Sequence, residues 1–256
     1  MNFFFGIKLS EFSSKLKIPI FQNEGKIKKD YNLYCLNIKD NKWSLSLYSN
    51  EPKNNFYLVN NIDCNNENIF FLASEIEIKK YAKNGLENLI KFNNFTLTSP
   101  AFRSNLEIYI DGGGFSSYQS EYPIEMTRKK GSILSSINVL SNNNNNAKNF
   151  LIFKNIYEKP VNEIFKGYFV NLKNKKIIKE FNLKTNYTNY VEINNNILND
   201  EVYFLTNEYL GIPVYLSCRD KHLSFEHTHP PHEYILSDDK YKRVSEFKKE
   251  FHEIIS

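Results

Sequence analysis

The residues most capable of chemistry crowd toward the C-terminus. Four of the five histidines, His222, His227, His229 and His232, fall within eleven residues in the run HLSFEHTHPPHEY. On an extended strand, His227 and His229 project from one face, with Glu226 and Thr228 on the other. His222, five residues before His227, falls on the face opposite it. Pro230 and Pro231 lack the N–H that a strand ladder needs, so they end or bend the strand. That bend would carry His232 or Glu233 back toward the first two imidazoles.

Two or three neutral imidazoles with one carboxylate suit Zn, Fe, Mn or Ni and leave positions open for water or substrate. The expectation is a divalent transition metal held by His227, His229 and His232, with Glu226 or Glu233 as acid/base. Such a centre would make the chain a metal-dependent enzyme acting on a small polar or carbohydrate-derived substrate. The alternative is a non-catalytic glycan- or protein-binding or assembly module whose histidines bond only backbone or water. Clustered imidazoles titrating together near neutrality would also suit a pH-sensing interface.

The spacing His227-Thr228-His229, followed by Glu233, resembles the first metal motif of cupins over seven residues. The resemblance would give the ligand role to His227, His229 and Glu233. The glycines that flank that motif are missing, and the 23 residues after Glu233 leave no room for the second cupin motif. The similarity is one of ligand spacing, not of family.

A second candidate is DGGGFSSYQSEYP, from Asp111 to Pro123. Three consecutive glycines, in a chain with nine, imply a tight turn or a close approach of backbone to another element. The run SSYQSEYP after them is not helical in pattern, which argues against a phosphate cradle. GFSSY also lacks the second glycine of a nucleophile elbow, although Ser116 with a histidine from the cluster would still pair a hydroxyl with a base. The hydroxyls, amide and carboxylate of Tyr118, Gln119, Glu121 and Tyr122 are better suited to hydrogen-bonding a polar ligand such as a sugar. Arg103 and Arg219, each offering a planar bidentate fork, stand just before the two candidate regions and would grip an anionic group if those regions met. The ligand-binding candidates are therefore Arg103, Gln119, Glu121 and Arg219.

The elements that must position these residues are strands. Apolar and polar residues alternate in KWSLSLY (Trp43, Leu45, Leu47), NFYLVN (Phe56, Leu58), and around Leu106, Ile108 and Ile110. The alternation returns in at least seven later runs between Ile133 and Leu216, separated by Asn, Gly, Asp and Pro clusters. This pattern predicts a mainly β fold, an antiparallel β-sandwich or barrel-like arrangement. The segment KNKK predicts a hairpin turn, and Ser141 to Asn146 a polar loop. A C-terminal amphipathic helix is predicted from about Asp238 to Ile255, capped by Ser237, with Tyr241, Val244, Phe247, Phe251 and Ile254 forming one stripe. It would pack over the sheet or serve a homo-oligomer. A second helix fits within Glu75 to Phe92, weakened by Gly85. A boundary near Asn93 to Pro100 would divide a β-rich region, 1–96, from a sandwich domain, 97–256, carrying the histidines and the helix.

Composition bounds the function. With 41% apolar and 24% charged residues over 256 positions, the chain has the means to fold around a sizeable core. A net charge of +4 gives no reason to expect nucleic acid or an anionic membrane as partner. Lysine and asparagine are abundant while only Arg103, Arg128, Arg219 and Arg243 supply guanidinium, as coding from an AT-rich genome would produce. Cys35, Cys64 and Cys218 are odd in number and far apart, so buried fillers are expected rather than a disulfide framework or thiolate zinc site. No apolar run is long enough to span a membrane and the N-terminus does not read as a signal peptide, so the expected location is cytoplasmic.

Overall fold

A computed structural model describes residues 2–20, 30–82, 104–128, 130–137, 140, 146–199, 201–227 and 240–256. The N-terminal strands are β1 (Asn2–Phe5), β2 (Ser13–Pro19), β3 (Tyr31–Lys39), β4 (Lys42–Ser49), β5 (Phe56–Val59) and β6 (Ile69–Ser74), followed by helix α1 (Glu75–Ala82). Then come β7 (Asn105–Tyr109), β8 (Phe115–Tyr118), β9 (Glu121–Pro123), β10 (Ile133–Ser136), β11 (Lys148–Lys154) and β12 (Ile164–Asn171). The last are β13 (Lys176–Lys184), β14 (Thr188–Ile193), β15 (Val202–Thr206), β16 (Ile212–Arg219), β17 (His222–Glu226) and helix α2 (Lys240–Ile255).

These strands form four antiparallel sheets, ordered β4-β3-β6-β1-β9, β5-β2-β7-β8, β10-β15-β12-β13 and β14-β11-β16-β17. The sheets stand in a propeller-like ring, not as the two stacked layers of the expected sandwich. The reason is physical. Alternation along a strand fixes which face is buried, but not which other sheet buries it. Strands from both sides of the expected 93–100 boundary share sheets: β7 pairs with β2, and β9 with β1.

Local patterning accounts for most elements. In β2, Leu16 and Ile18 are buried while Lys15 and Lys17 lie on the opposite face. In β5 the buried pair is Tyr57 and Val59, so Phe56 and Leu58 share a face as expected but it is the outer one. Strand β11 is buried from Asn149 onward, which leaves its second lysine, Lys154, no route to solvent. The KNKK turn joins β12 to β13, whose pairing closes at Asn171 and Lys176. Two-residue turns with positive φ at both positions, Asp40–Asn41 and Asp220–Lys221, close the β3–β4 and β16–β17 hairpins.

Helix α2 lies over the β10-β15-β12-β13 sheet. Phe251 is fully buried in a cluster with Leu134, Val170 and Leu205, and Phe247 and Ile254 pack beside it. The expected cap, Ser237, and first-turn acids, Asp238 and Asp239, lie outside the described residues. Cys35, Cys64 and Cys218 are free and buried, as expected of apolar fillers. No helix among the described residues is long and apolar enough to cross a membrane.

Candidate functional site

The glycine turn and the histidine-bearing strand meet. After β7, Gly112 takes a φ of +65° and Gly113 N donates to Ile110 O at 3.0 Å. Gly114 N then donates across to Lys221 O at 3.0 Å, tying this turn to the β16–β17 turn. A Cβ on Gly113 would lie 2.2 Å from Ile110 Cγ2 and 2.8 Å from both Lys221 Cβ and Lys221 O. The glycines therefore serve a close approach of two turns, as the sequence implied.

Beyond the turn, β8 runs along the edge of β17. Ser116 Oγ accepts the Phe225 N–H at 3.1 Å. The Tyr118 ring stands 6.0 Å from Phe225, edge-on, and 5.8 Å from the His227 ring. His227 Nδ1 lies 2.8 Å from Pro213 O. With a carbonyl as its partner, that nitrogen carries the proton, and Nε2 is the basic one. The Ser116 hydroxyl is thus a structural acceptor within the seam, which weakens the nucleophile reading.

The expected faces hold for the described part of the cluster. His222 and Glu226 are exposed on one face of β17, while Phe225 and the half-buried His227 follow the other. Arg219 pairs with His222 across the hairpin and has its Nε 3.8 Å from Asp220 Oδ2. Gln119 is exposed at the corner between β8 and β9, and Glu121 Oε1 accepts the Ser104 N–H at 3.0 Å. His229, His232, Glu233 and Arg103 lie outside the described residues. Among the described residues no group of three or more His, Cys, Asp or Glu is arranged to hold a metal ion.

A further set of residues, not singled out by sequence pattern, occupies the outer face of the β5-β2-β7-β8 sheet. Phe115 of β8, 62% exposed, stacks on Tyr109 of β7 with centroids 5.6 Å apart and planes 30° from parallel. The Tyr109 hydroxyl and the Lys17 ammonium both donate to Glu107, and Asn105 Nδ2 reaches the same carboxylate at 3.4 Å. Glu107 is only 4% exposed although it sits on the face opposite the core residues Leu106 and Ile108. Burial alone would raise its carboxyl, yet the bonds from Lys17 and Tyr109 hold it below the usual range. Tyr109 is pushed up to about 12 by burial and by that carboxylate. The signal was present in the sequence: the same alternation that sends Leu106 and Ile108 inward sends Glu107 and Tyr109 outward, beside Lys15 and Lys17 of β2.

This face is a preorganised polar–aromatic platform: an open ring surface backed by a second ring, with charged donor and acceptor groups locked alongside. Compared with protein-family models, with curated proteins and with solved structures, the chain matches none.

Proposed function

We propose that the protein is a non-catalytic recognition module for a polyhydroxylated ligand such as a glycan, bound on the outer face of the β5-β2-β7-β8 sheet. The observation that carries this reading is the exposed Phe115 ring, held flat by Tyr109 beside the Lys17–Glu107 pair. A sugar presents an axial C–H face to such a ring and hydroxyls to its rim. An open aromatic surface with fixed polar neighbours complements both. Side chains held before binding lose little entropy when the ligand arrives.

The test is a saccharide array followed by calorimetric titration of the best binder. Phe115→Ala should weaken binding on the order of tenfold, the value of one good ring contact, with an unchanged circular dichroism spectrum. An array without any bound saccharide, or equal affinity for the variant, defeats the reading.

A metal-centred reading has one specific support. The Pro213 carbonyl orients His227 through Nδ1, as the outer-shell partner of a metal-ligating histidine does. In that reading His227, His229 and His232 hold Zn, Fe, Mn or Ni and Glu226 or Glu233 moves the proton. Elemental analysis of untagged protein checks it: the expected result is close to one equivalent of metal, lost in His227→Ala. A metal-free protein with no thermal shift on adding these ions removes it.

A further inference from the structure

The strand β11 ends on Lys154, a lysine with 0% of its surface exposed. Its amine reaches one carbonyl, Asn66 O, at 3.5 Å, and stands 5.9 Å from the Phe5 ring. The same Asn66 oxygen accepts the Thr188 N–H at 2.8 Å, and Thr188 Oγ1 donates to Gly6 O at 3.0 Å. Asn66 also binds Lys8 through both side-chain atoms, accepting from its N–H at 2.7 Å and donating to its carbonyl at 3.2 Å. Lys154 therefore lies inside the joint where β1 and the turn before β6 meet β11 and β14.

The surroundings offer an ammonium little. From β3 comes Cys35, whose thiol burial pushes up to about 11, so it stays neutral. The carboxylate of Asp63 acts on Cys35, and its Oδ2 accepts from Tyr48 at 2.7 Å. The turn before β6 supplies Glu67, which is exposed and lies 3.4 Å from Lys184. Thr188 and Ile212, the cross-strand neighbours on β14 and β16, carry no charge, and neither does Phe5 on β1. A positive charge here would be closed off from the surface and, among the described residues, would have no carboxylate in an ion pair with it, an arrangement that interiors tolerate poorly.

We propose that Lys154 is a proton-operated latch on the joint between the β4-β3-β6-β1-β9 sheet and the β14-β11-β16-β17 sheet. With the amine neutral, the Asn66 turn is shut against Thr188. Uptake of a proton favours the opened joint, where water reaches the ammonium. Burial brings the amine down to about 7, so the latch works in a range cells visit.

The direction follows from linkage. The open joint frees the amine to titrate near its ordinary value of about 10.4, whereas the shut joint holds it near 7. Between those two values the open state binds the additional proton, so the shut state gains on it as pH rises. Below about 7 both states are protonated and the preference levels off.

Native-state hydrogen exchange at the Thr188 amide, corrected for intrinsic rates, reads this opening directly. The opening constant should fall steadily above pH 7, approaching about tenfold per pH unit between pH 8 and 9, and level off below pH 6. In Lys154→Met, an apolar residue of similar length, the pH dependence should vanish. A pH-independent wild type, or the same slope in the variant, overturns the latch. If Lys154→Met does not fold, titration of the wild-type Lys154 side chain by NMR decides: a midpoint near 7 supports the proposal, and one near 10.4 overturns it.

Discussion

Two of the regions where sheets of this ring meet are built from opposite materials. Around the ends of β11 and β14 runs a belt of buried amides and hydroxyls. Asn155 Nδ2 donates to Leu210 O at 2.7 Å, its Oδ1 accepts the Asn186 N–H at 2.9 Å, and Thr185 Oγ1 donates to Val161 O at 2.7 Å. Along β8 and β17, by contrast, glycines bring two turns together, one serine hydroxyl bridges the strands, and rings fill the gap. The belt uses side chains to satisfy backbone groups that no ladder reaches, so its geometry is over-determined and its loss is costly. The seam relies on close packing and few directed bonds, so it tolerates adjustment. Tyr118, His227 and Arg219, all candidates for chemistry, lie at the seam, whereas Lys154 brings a buried, titratable amine to the belt.

The difference is broken most severely at Asn186. Its Oδ1 accepts the Tyr157 N–H at 2.8 Å, and its Nδ2 donates to Lys159 O and Val161 O at 2.9 and 3.0 Å. Its φ of +54° is also one that asparagine enters far more readily than alanine. Asn186→Ala removes three bonds, orphans a buried N–H and adds backbone strain. Urea unfolding should show a loss of about 3 kcal/mol or more. A loss below about 1 kcal/mol would mean the belt contributes no more than an ordinary surface turn.

The contrast also explains what the sequence disclosed. Alternation around Leu106, Ile108 and Ile110 was sufficient to identify a strand and its buried face, and the spacing of Phe247, Phe251 and Ile254 to identify the helix stripe. Three glycines in a row announced a close approach, which the contact with Lys221 supplies. The belt stayed hidden because its residues are those that compositional bias also produces. In a chain rich in asparagine and lysine, Asn66, Asn186 and Lys154 carry no mark separating them from solvent-facing copies. Only long-range contacts, such as Thr188 with Gly6, make them structural, and no local pattern encodes such pairings. The ring of four sheets escaped for the same reason, since the choice of which sheet covers which is non-local. The platform at Phe115 was legible in principle, because the outward register of Tyr109 and Glu107 follows from that of Leu106 and Ile108. The polar groups of Gln119 and Glu121 gave the stronger local signal and masked it.

The smallest effect is expected on the other side of the comparison. Ser116→Ala deletes the side-chain bridge between β8 and β17 and leaves the half-buried Phe225 N–H to find water. The cost should be about 1 kcal/mol, since water has access to an edge strand that it lacks in the belt. The more telling readout is local. If the bridge holds β17 in place against Tyr118, its loss loosens the packing of the tyrosine ring on His227, and the imidazole resonances should broaden or shift while those of buried Phe251 stay fixed. An unfolding cost comparable to that of Asn186→Ala would erase the distinction between the joints. An unchanged His227 signal would leave the glycine contact with Lys221 as the element that sets the seam, and would assign the alignment of β17 to backbone approach alone.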